Sequence, residues 1–208
     1  HHGTCSHNRY DWLSLGYSAA GGELWNSMRA LDLLVSLPEV DVSRIGATGI
    51  SGGGAHSFFI GIADERIKAV SSTCGVTVPL YGIRDRHVMD HCDCMYFHNL
   101  YGRDTSEFAA LMAPRPLLFC FAAQDTYFSR DEYRGLTERT RRVFRLYGCE
   151  DKCDLFEYAG PHGYQPDSIK AEHDWFDKHV AGQERPPTKL EESEHAEKVV
   201  TVFNGQPP

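Results

Sequence analysis

The sequence has no basic excess. Its 208 residues carry 21 Lys and Arg against 29 Asp and Glu, a net charge of -8. Charge alone will not hold such a chain on nucleic acid or on an anionic membrane. No apolar run approaches the ~20 residues of a membrane helix. No signal peptide is visible either, although the opening His1-His2 reads as the end of a tag or of a missing segment. Repeats and low-complexity tracts are absent. So is a disulfide framework: the seven cysteines, Cys5, Cys74, Cys92, Cys94, Cys120, Cys149 and Cys153, are odd in number and scattered. A chain of this length can build a core without cross-links. Cys74 and Cys120 fall inside apolar runs, where a buried thiol is the expectation. Cys149 and Cys153 are close enough to bridge across a turn, and their spacing leaves that open. Together the thiols read as those of an intracellular or redox-indifferent protein. The chain is not short of apolar residues: at 41% hydrophobic and 24% charged, it has enough to exclude wholesale disorder.

Strand and helix signals alternate along the sequence. Glu23–Leu37 has Leu24, Met28, Leu31 and Val35 at helical spacing, and Pro38 stops it. Arg44–Ile50 reads as a short buried strand, Gly52–Asp64 as a helix and Lys68–Cys74 as a strand. Ser106–Met112 is a short helix ended by Ala113-Pro114. Pro116–Ala122 is apolar on both faces, as in a parallel sheet covered by helices. Ser129 and Glu132 form a capping box for a helix with Tyr133, Leu136, Thr140 and Val143 on one stripe. Asp154–Tyr158 is a strand. Pro166–Val180 is a last helix with Ile169, His173, Phe176 and Val180 on one face. Alternation of this kind predicts an α/β parallel sheet. Beyond Ala181 the composition shifts to Pro, Gly and acidic residues, so 182–208 reads as a linker or tail.

The chemistry concentrates at three strand ends. Gly49-Ile50-Ser51-Gly52-Gly53 follows a strand and opens a helix, the context of a nucleophile elbow. Ser51 must occupy a sharp turn that lifts its hydroxyl over the sheet edge, and flanking side chains would crowd that turn. The N–H of Gly52, at the helix N-terminus, can stabilise an oxyanion. A serine nucleophile of this kind is followed in the chain by an acid and then a histidine. Asp125 comes after the strand Pro116–Ala122, and His162 after Asp154–Tyr158. Parallel strands bring all three loops to one edge of the sheet. Singly, Ser51 is a serine in a glycine-rich turn, Asp125 a turn aspartate and His162 a loop histidine. In order and in context they read as a Ser-Asp-His triad. Tyr127 and Tyr164 each lie two residues beyond a triad member and are candidates to line the substrate pocket.

With these residues in view, Arg29–Leu34, Leu37–Asp41, Arg44–Gly46, Gly49–Gly54 and Ala113-Pro114-Arg115-Pro116-Leu117-Leu118 together resemble the α/β-hydrolase superfamily. Within it they resemble the acetyl xylan esterase and dienelactone hydrolase-like branch. The resemblance runs from about Gly16 to Val180. It implies an α/β-hydrolase fold and a serine ester hydrolase without cofactor. The implied substrate is a small acyl ester, such as an acetyl ester, carried on a small molecule or a carbohydrate. One feature departs from the pattern. Residues 1–43 show a helix but no convincing strand pair and no oxyanion loop of the His-Gly-Gly kind. The expectation is therefore that 1–181 forms the C-terminal portion of the catalytic domain, lacking its N-terminal strands. It would need the missing half or a neighbouring chain as partner.

Three other readings stand beside this one: a hydrolase-fold serine peptidase using the same triad, a partner-dependent inactive fragment, and a zinc protein. The last rests on His87, His91, Cys92, Cys94 and His98, whose side chains suit zinc. They lack the usual Cys-x-x-Cys spacing and fall where a packed cap is expected, with Met89, Met95, Tyr96 and Phe97 as its core. The expectation is that no metal binds. His56, Trp25 and Trp175 read as packing residues, and Arg139–Arg142 as a solvated face.

Overall fold

The computed structural model describes residues 10–76, 78, 81, 84 and 99–182. Two helices, α1 (Tyr10–Ser14) and α2 (Ala19–Ser36), precede strand β1 (Ile45–Ile50). There follow α3 (Gly52–Ala63), β2 (Ile67–Thr73), α4 (Thr105–Ala109) with a 3-10 turn to Met112, and β3 (Leu117–Ala122). Helix α5 (Arg130–Leu146), β4 (Cys153–Tyr158) and α6 (Pro166–Phe176), extended by a π turn to Ala181, complete the order. The strands form one parallel sheet in the order β1-β2-β3-β4. No described helix is long and apolar enough to cross a membrane.

The sheet's two faces follow from the period of two along each strand. On β2, Val70 and Ser72 face α3: a side chain on Gly61 would strike Val70, and Ser72 Oγ donates to Gly54 O at 2.9 Å. Thr73 points the opposite way and donates to Glu172 of α6. β3 (Leu-Leu-Phe-Cys-Phe-Ala) is buried at every position, as expected for a strand covered on both sides. Phe119 meets Phe58 of α3, with ring centroids 6.4 Å apart, and Phe121 stacks on Tyr133 of α5 at 4.5 Å. Each such ring contributes about 1.5–3 kcal/mol by leaving water. Arg115, in the Ala-Pro-Arg-Pro segment, donates to the carbonyls of Gly61 and Ile67 at 2.7 and 2.8 Å and so locks the α3–β2 turn to β3.

Several local expectations need correction. Helix α2 starts four residues early, because Ser18 Oγ accepts from Gly21 N–H and caps it. Trp25 is 58% exposed, not core; Arg29 lies over its ring. On α5 the buried residue at the end of the stripe is Phe144, while Val143 is half-buried. Ser129 does cap that helix, but the Glu132 carboxylate also reaches inward to the Val78 N–H at 2.8 Å. Thr140 is buried inside the expected solvated face. On α6 the buried face carries Ser168, Glu172 and Trp175, and His173 is exposed. The apolar stripe missed this face because two of its three residues are polar and satisfied by the sheet or by their own helix turn. Cys74, Cys120, Cys149 and Cys153 are all free and buried. The cluster His87–His98 and the tail beyond Gly182 lie outside the described residues.

Candidate active site

Ser51 stands between β1 and α3 with φ 55° and ψ −121°. Among the described residues, it and Cys74 are the two non-glycines with positive φ. Such a conformation costs of order 1–3 kcal/mol and persists where surrounding contacts impose it. Here the Ser51 N–H donates to Thr73 O at 2.9 Å, and Ser51 O accepts from Ala55 N–H at 2.9 Å. The glycines around it are not equivalent. A Cβ on Gly49 would lie 2.5 Å from the Gly53 backbone, and one on Gly54 would lie 2.6 Å from Thr73 O. A Cβ on Gly53 would meet nothing within 4 Å. The elbow therefore needs Gly49 and Gly54 for space, and Gly53 is not crowded as the motif suggested. Ser51 makes no side-chain cap bond to its own helix, which leaves its hydroxyl uncommitted to the helix end. The first-turn N–H groups of α3, Gly52 among them, have no intrahelical partner.

Asp125 and His162 come together at the ends of β3 and β4. His162 Nδ1 lies 2.8 Å from Asp125 Oδ2, and the aspartate side chain is wholly buried while the imidazole is 25% exposed. A carboxylate only accepts, so Nδ1 carries the hydrogen and Nε2 is left as the basic nitrogen. The other oxygen, Oδ1, accepts from Tyr127 N–H at 2.8 Å. The two loops are stitched to each other: Ala123 N–H donates to Tyr158 O at 2.7 Å, and Gln124 N–H to Gly160 O at 3.0 Å. Gly160, at φ 124°, allows the sharp turn that brings His162 back over the sheet.

Aromatic rings fix the imidazole on two sides. Tyr127 meets it edge-on, with centroids 5.2 Å apart, and Phe128 lies nearly parallel at 6.2 Å. Phe128 is buried and was not anticipated; its place three residues after Asp125 was the available signal. Burial, with the charge of Glu172, raises the Tyr164 hydroxyl above the usual tyrosine value. His56 Nε2 is satisfied by the Glu23 carboxylate of α2.

Glu172 is a second unanticipated feature. It is 5% exposed, and its carboxylate accepts from Thr48 Oγ1 at 2.9 Å and from Thr73 Oγ1. It thus ties β1 to β2 just before the turn carrying Ser51. Burial raises its carboxyl above the ordinary carboxylate range, opposed by the threonine hydrogen bonds.

Two surface grooves, of about 770 and 510 Å³, lie elsewhere. The first is bordered by Arg141, Asp154 and Lys178 and the second by Arg44, Ile45 and Phe176, toward the strand starts. Neither touches Ser51, Asp125 or His162, and their mixed, open lining offers no comparable chemistry.

This arrangement of parallel sheet, elbow turn and strand-end acid and histidine is the α/β-hydrolase fold. Comparisons with solved structures agree. A glucuronoyl esterase from Sporotrichum thermophile superposes with a TM-score of 0.70 at 16% identity, over 82% of this chain and 54% of that one. A glucuronoyl esterase from Solibacter usitatus gives 0.66 at 20%, over 78% and 49%. A methylesterase gives 0.64 at 24%, over 77% and 35%. By sequence, the Bacillus subtilis protein YtaP, described only as a hydrolase, is 26% identical over 153 residues, which is 73% of this chain and 51% of YtaP. The chain thus spans about half the length of the curated relative it matches. No protein-family model matches it.

Proposed function

We propose that this chain carries the catalytic residues of a serine esterase acting on carboxylic esters of carbohydrates. The observation that carries the reading is the hydrogen-bonded His162–Asp125 pair on the same sheet edge as the strained Ser51 turn. The names of the structural neighbours, glucuronoyl esterases and a methylesterase, support the ester class and the carbohydrate part. Small acyl esters such as acetyl esters remain within the same chemistry.

In this mechanism His162 Nε2 takes the proton of Ser51 as Oγ attacks the ester carbonyl. Asp125 holds the imidazole in the tautomer that leaves Nε2 free to accept, and stabilises the imidazolium. The carbonyl oxygen becomes an oxyanion received by the Gly52 N–H. Collapse breaks the ester C–O bond, and the leaving alkoxide takes from the His162 imidazolium the proton that came from Ser51. Water, activated by the same nitrogen, then cleaves the acyl-enzyme. Tyr127, against the imidazole, borders the acyl or alcohol subsite, and Tyr164 lines its far side. The open side of β1 is completed by strands of a longer polypeptide or of a neighbouring chain. Unpaired strand edges otherwise invite association.

The test is a fluorophosphonate probe followed by peptide mapping, with turnover of p-nitrophenyl acetate and of a methyl glucuronate ester. Label on Ser51 with turnover of either ester is expected. Label on another residue, or turnover unchanged in Ser51→Ala, refutes the reading.

A further inference from the structure

The second strained non-glycine, Cys74, has no part in the mechanism above, yet it sits against it. It directly follows β2 at φ 44°, with no exposed surface, and its N–H donates to Cys120 O at 2.8 Å. Its Sγ, an Asp125 carboxylate oxygen and a His162 ring nitrogen all lie within 4.8 Å of one another. Its Sγ also lies 3.4 Å from the hydroxyl of Tyr158, the last residue of β4. That hydroxyl is in turn 2.9 Å from the carbonyl of Gly163, the residue after His162. Tyr158 is 3% exposed.

The proton bookkeeping orders these contacts. A carbonyl oxygen can only accept, so the Tyr158 O–H donates to Gly163. The tyrosine oxygen is then free to accept from the Cys74 S–H, which also has an Asp125 carboxylate oxygen close by. Burial keeps both groups protonated: it pushes the thiol up to about 12 and the phenol higher still. The result is a directed chain from the end of β2, through the end of β4, to the loop that presents the imidazole. Gly163, at φ 153°, has no side chain of its own to hold that loop.

We propose that Cys74 and Tyr158 are positioning residues for the esterase reaction: their buried hydrogen-bond chain to the Gly163 carbonyl sets the His162 loop, and so the imidazole, against Asp125. The inference rests on the serine-esterase reading. It accounts for a strained cysteine, a buried tyrosine hydroxyl and a glycine carbonyl with one arrangement. It also makes the thiol a donor rather than a nucleophile, which fits its burial.

The experiment compares Tyr158→Phe, Cys74→Ala and Cys74→Ser with the wild type in the full-length protein. It measures kcat and KM with p-nitrophenyl acetate, Ser51 labelling by fluorophosphonate, and thermal melting. Tyr158→Phe is expected to lower kcat about 10- to 100-fold, with KM changed less than about twofold, since misplacing a catalytic group acts on the chemical step. Cys74→Ala should lose less, and Cys74→Ser should recover most of that loss because the hydroxyl restores the donor. If Tyr158→Phe fails to fold, the Cys74→Ala and Cys74→Ser pair still decides, since the two differ by one donor. Wild-type kcat in Tyr158→Phe, or equal activity in the two Cys74 variants, overturns the inference while Ser51 labelling keeps the esterase reading standing. A wild-type protein that neither labels at Ser51 nor turns over ester overturns both.

Discussion

β1 and β3 belong to one parallel sheet, yet β3 is buried at all six positions while β1 alternates between half-buried and exposed. β3 has a strand on each side and helices over both faces; among the described residues β1 has only β2 beside it. The candidate nucleophile therefore hangs from the β1 edge of the sheet, the acid rises from the buried β3 and the histidine from β4, which pairs with β3. The closed end is held by many contacts: interstrand bonds, the stitched loops and three packed aromatic rings. The open end depends on a few polar ties, chiefly Ser51 N–H to Thr73 O and the Glu172 carboxylate across Thr48 and Thr73. Such a strand-end arrangement can thus be assembled from strands of unequal burial, provided polar clamps replace packing at the weaker one.

The sharpest test removes the chemistry from either end. Ser51→Ala and His162→Ala should each lower kcat by on the order of 10⁴-fold or more, Asp125→Asn somewhat less, and combining them should add little. The three then act as one unit despite their different surroundings. Steady-state ester hydrolysis on variants with wild-type melting curves decides it, and additive losses would separate the two ends functionally.

Packing comes next. Phe121→Ala in β3 should lose about 3–5 kcal/mol in denaturant unfolding. Ile45→Val in β1 should lose no more than about 1.5 kcal/mol. Equal losses would show that β1 is as well packed as β3, against its burial pattern.

Two neighbouring glycines give a finer contrast at the elbow. Gly54→Ala puts a Cβ 2.6 Å from Thr73 O, so about 1–3 kcal/mol of stability and part of the esterase activity should go. Gly53→Ala meets nothing within 4 Å, and a change within about 0.5 kcal/mol is expected from melting.

The smallest effect concerns pH. The Asp64 carboxyl is held below its ordinary value of 3.8, first by its hydrogen bonds to Arg66. Its stabilisation is present above that value and lost as pH falls through the lowered one. Glu172 has the opposite sign: burial raises it above 4.5, so its stabilisation is full below 4.5 and lost as pH rises through the raised value. Urea midpoints between about pH 3 and 8 should therefore fall less steeply toward acid in Asp64→Asn. In Glu172→Gln they should lose the decline on the higher side. A Glu172→Gln profile parallel to wild type would mean that the clamp at the open edge carries no titrating charge.

The sequence alone determined the order of elements and the place of the candidate site. Helical and strand periodicities, the glycines around Ser51 and the apolar run before Asp125 are local signals, written within a few residues of the structure they cause. Strand-end loops in a parallel sheet share an edge, so Asp125 and His162 could be expected near each other, and they meet across 37 residues. Periodicity failed where burial was polar: Glu172 broke the apolar stripe expected on the last helix, and Trp25 had the composition of a core residue but an exposed position. The tertiary structure alone decided which distant groups satisfy each other. Thr48 and Glu172 are 124 residues apart, Thr73 and Glu172 are 99, and Cys74 and Tyr158 are 84. Nothing in the local chain dictates such pairings. They follow from packing, which brings buried polar groups together and leaves each the choice of a partner or a desolvation cost of about 1–3 kcal/mol.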